Sequence, residues 1–250
     1  MKFQAHKGVS TEHPENTMPA YRAAVQQGYD IIELDVSVTK DMQFVMLHDA
    51  AINRTGRYKD GSSLKEEILI SELTYKEASE YDYGLWFSED FKGTKLPLFK
   101  EVLEFAKETG ISLKIDNKYQ KYTEEQRQAF YQLLQPYQDV AWITCNQVDF
   151  IKEAKEALPN IKFHYDGVIS EEILEEVAEL VPTENLIVWV PYQNRFTKWF
   201  KGDFVDEELA ALIRKYAKLG IWLISEKEEL EYAEKLGAEV VETNGHLKPM

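Results

Sequence analysis

The run "DIIELDV" (30–36) is apolar enough for the interior of a sheet, yet it carries two acids. Glu33 and Asp35 stand two residues apart, and side chains at that spacing point to the same side of a strand, with Leu34 facing the other way. Seven more runs share its character: "KFQAH" (2–6), "ISLKIDN" (111–117), "VAWITC" (140–145), "IKFHY" (161–165), "LIVWVPY" (186–192), "GIWLIS" (220–225) and "AEVVET" (238–243). Amphipathic segments at about 18–27, 99–109, 123–135, 147–157, 170–180, 206–219 and 227–236 fall between them as helices, with Gly28, Gly110, Gly220 and Gly237 as stops just past helix ends. A β-α alternation of this length implies a parallel sheet, and eight units with no evident edge strand favour closure. The predicted fold class is α/β, a (β/α)8 TIM barrel.

One interval is too long for that scheme. About 75 residues separate Val36 from Ile111, where a strand-to-strand connection needs about 20 to 30. Its first part, "DVSVTKDMQFVMLHD" (35–49), alternates on both sides of "KDMQ" and predicts a hairpin turning near residues 40 to 42. Such a hairpin returns His48 to the neighbourhood of Glu33 and Asp35. The remainder, rich in turn formers and aromatics, predicts a small cap, so the insertion covers about 37–97 of a single domain spanning 1–250.

Composition narrows the function. With 44% hydrophobic and 12% aromatic residues the chain supports a substantial core, and it has no apolar run long enough to cross a membrane. The strand that starts at Lys2 leaves no room for a signal peptide, which makes the cytoplasm the expected location. A single cysteine, Cys145, rules out an intramolecular disulfide and suits a reducing compartment, where a small buried hydrophobe is its plain role. The formal charge of −15 argues against a nucleic-acid partner or a broad contact with an anionic membrane, so a small-molecule substrate is expected.

In a barrel of this kind the reactive groups lie at the C-terminal ends of strands and in the loops after them. His6 ends the first strand, and Glu33 and Asp35 converge on one spot of the second. Two like charges that close repel unless a cation lies between them. A structural ion pair with Lys114 or Lys118 is the plain alternative, but it does not account for His6 and His48 arriving at the same end. Asp116, near the end of the third strand, adds a third oxygen, and an all-carboxylate set suits one hard divalent cation, Mg²⁺ or Ca²⁺. Two histidines flanking such a site are what a general acid and a general base for phosphoester cleavage require. His164, His13 and His246 read as structural or background residues, and Asn16 or Thr17 as the cap that starts the first helix. The aromatics of "YDYGLWF" (81–87) and "YQNRFTKWF" (192–200) could wall a pocket or pack beneath a loop.

These residues resemble the glycerophosphodiester phosphodiesterases, through "HKG" (6–8), "PENT" (14–17), "ELDV" (33–36), "TKD" (39–41) and "HD" (48–49) in order. "GLWFSEDFKGTKLPLFKEVL" (84–103), "LKIDNK" (113–118) and "GAEVVETNG" (237–245) extend the likeness over most of the chain. The resemblance implies a (β/α)8 barrel, one divalent cation, and hydrolysis of glycerophosphodiesters to glycerol 3-phosphate and an alcohol. It implies that Glu33, Asp35 and Asp116 hold the metal, that His6 and His48 serve as acid and base, and that Lys7, Glu15 and Lys118 surround the phosphate. Lys7 stands where the family usually has Arg, and Asp116 where it usually has Glu, so a changed substrate is expected. Phospholipase D-like or phosphoinositide phospholipase-like cleavage of a lipid headgroup, and a barrel that binds phosphoesters without turnover, are the competing readings.

Overall fold

A computed structural model describes residues 1–194 and 200–249. The chain runs β1 (Lys2–His6), α1 (Met18–Gln26), β2 (Ile31–Leu34), β3 (Val36–Val38), β4 (Phe44–Met46), α2 (Tyr75–Ala78), α3 (Phe99–Thr109) and β5 (Ser112–Ile115). It continues with α4 (Glu124–Leu134), β6 (Ala141–Cys145), α5 (Val148–Ala157), β7 (Lys162–Tyr165), α6 (Glu171–Leu180), β8 (Leu186–Pro191), α7 (Glu207–Tyr216), β9 (Lys218–Trp222), α8 (Lys227–Lys235) and β10 (Val240–Thr243). Eight parallel strands close in the order β1-β10-β9-β8-β7-β6-β5-β2, the TIM-barrel arrangement expected from the sequence. Registers such as His6 with Glu33 and Glu33 with Lys114 bring the polar strand ends of β1, β2 and β5 to one height.

Alternation along each strand divides the core into two environments. Ile32, Leu113, Ile143 and Phe163 face the helices in one large apolar cluster. Ile31, Trp142, Ile187, Trp189 and Val240 form a second cluster inside the barrel. Trp189 leaves so little space that a Cβ on Gly220 would come within 2.6 Å of its ring. Gly220 therefore lies within β9 rather than at the end of a helix, which corrects the expected stop; α7 ends earlier, at Tyr216. Gly28, Gly110 and Gly237 do follow helices, each with positive φ.

The insertion after β2 takes the expected form. β3 and β4 pair antiparallel, Val36 opposite Met46 and Val38 opposite Phe44, and Met42 makes the turn with φ of 61°. The following cap has an apolar core of its own, with Val45, Leu47, Ile52, Leu64, Ile70, Ala78, Tyr83 and Leu96 buried. Tyr83 of "YDYGLWF" belongs to that core, while Trp86, Phe87 and Phe91 pack edge to face beside it. Of the second aromatic stretch, residues 195–199 lie outside the described residues.

Candidate active site

His6 ends β1 with its ring pinned: Nδ1 donates to Oδ1 of Asn244, just after β10, at 2.6 Å. An acceptor on Nδ1 leaves Nε2 as the free lone pair of the neutral ring. That nitrogen lies 3.9 Å from Oε2 of Glu33. The next residue, Lys7, adopts a left-handed backbone with φ of 59°, which turns its N–H onto the same Glu33 oxygen at 3.0 Å. Its ammonium reaches Glu15 Oε1 at 3.4 Å.

"PENT" contributes differently from expectation. Thr17 precedes α1 without a side-chain capping bond, and Asn16, the other expected cap, turns instead toward β2. Its amide donates to Asp35 Oδ2 at 2.9 Å, and its Oδ1 accepts from the Asp35 N–H and the Tyr21 hydroxyl. Asp35 is thereby fixed from the loop after β1. Lys118 takes its other oxygen at 2.9 Å and also donates to the carbonyls of His48 and Leu47. The ion-pair alternative is thus realised by Lys118, whereas Lys114 pairs with Glu242 at 3.5 Å deeper in the barrel.

Electrostatics separate the three acids. Burial, then the charges of Asp35 and Glu242, push the Glu33 carboxyl up. Burial and Asp35 likewise raise Asp116. For Asp35 burial is outweighed by Lys118, His48 and Lys7, which hold it below the usual carboxylate range. Among the described residues no three His, Cys, Asp or Glu side chains stand as a ready metal group. The donor chemistry nonetheless fits a hard divalent ion: the buried Glu33 and Asp35 and the half-buried Asp116 repel one another, and Asp35 already draws a cation.

His48 follows β4, with Nδ1 held by Asp49 Oδ1 at 2.6 Å. Asp49 Oδ2 accepts from Arg54 Nε at 2.6 Å, and the two Nη groups of Arg54 grip Glu15 at 2.8 and 2.7 Å. Arg54, Asp49 and Asn244 carry no site signal in the sequence, and Asn16 carries only that of a helix cap. Asp49 and Asn244 fell within quoted motifs, but Arg54 meets Glu15 across 39 positions of chain with no periodic signal. Asp166, after β7, was also missed; burial and then the Asp116 charge push it to about 7, against the Asn117 amide that bonds both its oxygens. His164 and Cys145 take the plain roles. The first is fully buried and accepts from Trp189 Nε1 at 2.6 Å, and the second lies against the Tyr119 hydroxyl.

Residues 6–244 match the model of the glycerophosphoryl diester phosphodiesterase family. A glycerophosphodiester phosphodiesterase of Bacillus altitudinis is 35% identical over 48% of this chain and 47% of its own length, so the chain matches under half of that relative. A lysophospholipase D of Rattus norvegicus is 24% identical over 96% of this chain and 82% of its length. In structure, an Oleispira antarctica phosphodiesterase in complex with the product sn-glycerol-3-phosphate superposes with a TM-score of 0.78 at 20% identity, over 98% of this chain and 93% of that one. That last likeness is one of fold. The match over nearly the whole chain, on a closed barrel whose strand ends gather the motif residues, makes this protein a member of the glycerophosphoryl diester phosphodiesterase family.

Proposed function

We propose that the protein hydrolyses glycerophosphodiesters to glycerol 3-phosphate and an alcohol, with His6 and His48 as the proton-transfer pair. The observation that carries this reading is the pinning of both imidazoles at Nδ1, by Asn244 and by Asp49, around the buried Glu33 and Asp35. Each ring then presents Nε2 for transfer. One, neutral, takes the proton of the attacking hydroxyl at Nε2, and the other, as the imidazolium, delivers its Nε2 proton to the departing alkoxide.

Glu33, Asp35 and Asp116 would hold one divalent cation, Mg²⁺ or Ca²⁺. When bound, such an ion withdraws charge from a phosphate oxygen and acidifies a nearby hydroxyl. Lys7 and Lys118 supply positive charge for the phosphate, as point charges rather than planar clamps. Glu15 orients Lys7 and does not meet the anion, since an acid facing phosphate would oppose binding. The groove of about 410 Å³ that opens beside His48 and Lys118, where Val36, Val38, Ile70 and Tyr122 alternate with Ser37, Lys121 and Gln126, gives the alcohol a place to leave.

The rat relative's name makes lysophospholipid headgroup cleavage the second reading. Incubation with glycerophosphocholine, glycerophosphoethanolamine or lysophosphatidylcholine, with and without EDTA, separates the two. Glycerol 3-phosphate release that EDTA abolishes is the expected result, and no product with any divalent ion would sink the reading.

A further inference from the structure

We propose that Arg54 is a positioning residue that holds His48 and the Lys7 end of the site in one frame. The inference rests on the reading of His48 as a proton-transfer residue. Three guanidinium nitrogens are committed in one plane: Nε to Asp49 at 2.6 Å, Nη1 to Glu15 Oε2 at 2.8 Å and Nη2 to Glu15 Oε1 at 2.7 Å. Asp49 passes the constraint to His48 Nδ1, and Glu15 passes it to Lys7. One side chain thus spans from the loop after β1 to the loop after β4.

The backbone beneath Arg54 is itself fixed by the cap. Ile52 is fully buried in the cap core, and its N–H donates to the Ile68 carbonyl at 2.9 Å. Asn53 donates to the Glu66 carbonyl at 2.6 Å and accepts from the Ile68 N–H at 2.8 Å. Arg57 closes the turn from below on the carbonyls of Asn53, Arg54 and Gly56. The long insertion therefore has a task in the chemistry, which is to present one guanidinium at a set distance from two carboxylates.

Only an arginine can do this. A lysine offers one tetrahedral ammonium, which cannot satisfy Glu15 bidentately and Asp49 at the same time. Without the guanidinium, Glu15 would keep only Lys7 and Asp49 only His48, the two acids would repel each other, Asp49 would swing away, and His48 would lose the acceptor that keeps its proton on Nδ1. The electrostatics agree: burial would raise the Asp49 carboxyl, but the bonds to Arg54 and His48 hold it at about 2.

The test uses the full chain labelled with ¹⁵N. Long-range imidazole spectra, with His48 assigned by its loss in His48→Ala, report which ring nitrogen carries the proton. Wild-type protein is expected to hold neutral His48 as the Nδ1–H form, and both Arg54→Ala and Arg54→Lys are expected to shift it toward the Nε2–H form. Both variants should lose about tenfold or more in kcat with glycerophosphocholine, the scale of a lost orienting partner. A role confined to holding the cap together would lower the melting midpoint and leave the tautomer unchanged, and an unchanged tautomer in both variants overturns the proposal. Wild-type protein with no turnover would instead overturn the functional reading, leaving the spectra to decide the role of Arg54.

Discussion

The ammonium of Lys118 lies 2.9 Å from Asp35 Oδ1, on the acid whose charge acts on both Glu33 and Asp116. On the proposed reading, an ammonium there would compete with a divalent ion for the same oxygen and would also attract the substrate phosphate. Lys118→Met should therefore act in two directions. Calorimetric titration with Mg²⁺ or Ca²⁺ should show tighter binding, on the order of tenfold, while KM for the diester rises by about tenfold, the worth of a charge-assisted hydrogen bond. Weaker ion binding in the variant would show that Lys118 supports the acids rather than opposing an ion.

Asn244 stands at the far end of the chain from His6, yet β1 and β10 are neighbours and their ends meet. Asn244→Ala removes the acceptor on Nδ1 and lets the ring turn. Turnover should fall by about 10- to 100-fold with little change in ion affinity. Asn244→Asp keeps an acceptor and should retain more of the rate than the alanine. Equal rates in the two variants, measured by glycerol 3-phosphate release, would remove Asn244 from the account.

His164 links pH to stability. Burial, and then the Lys114 charge, hold its imidazole well below the ordinary 6.5. The unfolded chain takes up this proton as pH falls below 6.5, while the folded chain does not, so stability is present above that pH and is lost on acidification. The contribution reaches a slope of at most about 1.4 kcal/mol per pH unit. Urea titrations between about pH 7 and pH 5 should show a shallower loss in His164→Asn than in wild type. Parallel curves would mean that other groups govern the acid limb.

The barrel was largely legible because its strands are buried on both faces and its helices have one apolar side. β1 falls at residues 2–6, as read from "KFQAH", and α3 at 99–109. A glycine after an amphipathic stretch reads as a helix stop, whereas Gly220 has its cause in the Trp189 ring on the adjacent strand β8. Within the site, Glu33, Asp35, His6 and His48 were legible from strand ends and the hairpin. Asn16 was read as a cap because local propensity cannot see Asp35, and Arg54 was invisible because its partners are set by the cap's packing. Such contacts are tertiary, with no footprint in spacing.

The central claim is that His6 and His48 move protons while the acids bind the ion. Single His6→Ala and His48→Ala variants should each abolish glycerol 3-phosphate release from glycerophosphocholine and bind the divalent ion with nearly wild-type affinity. A near-normal rate in either variant would contradict the account.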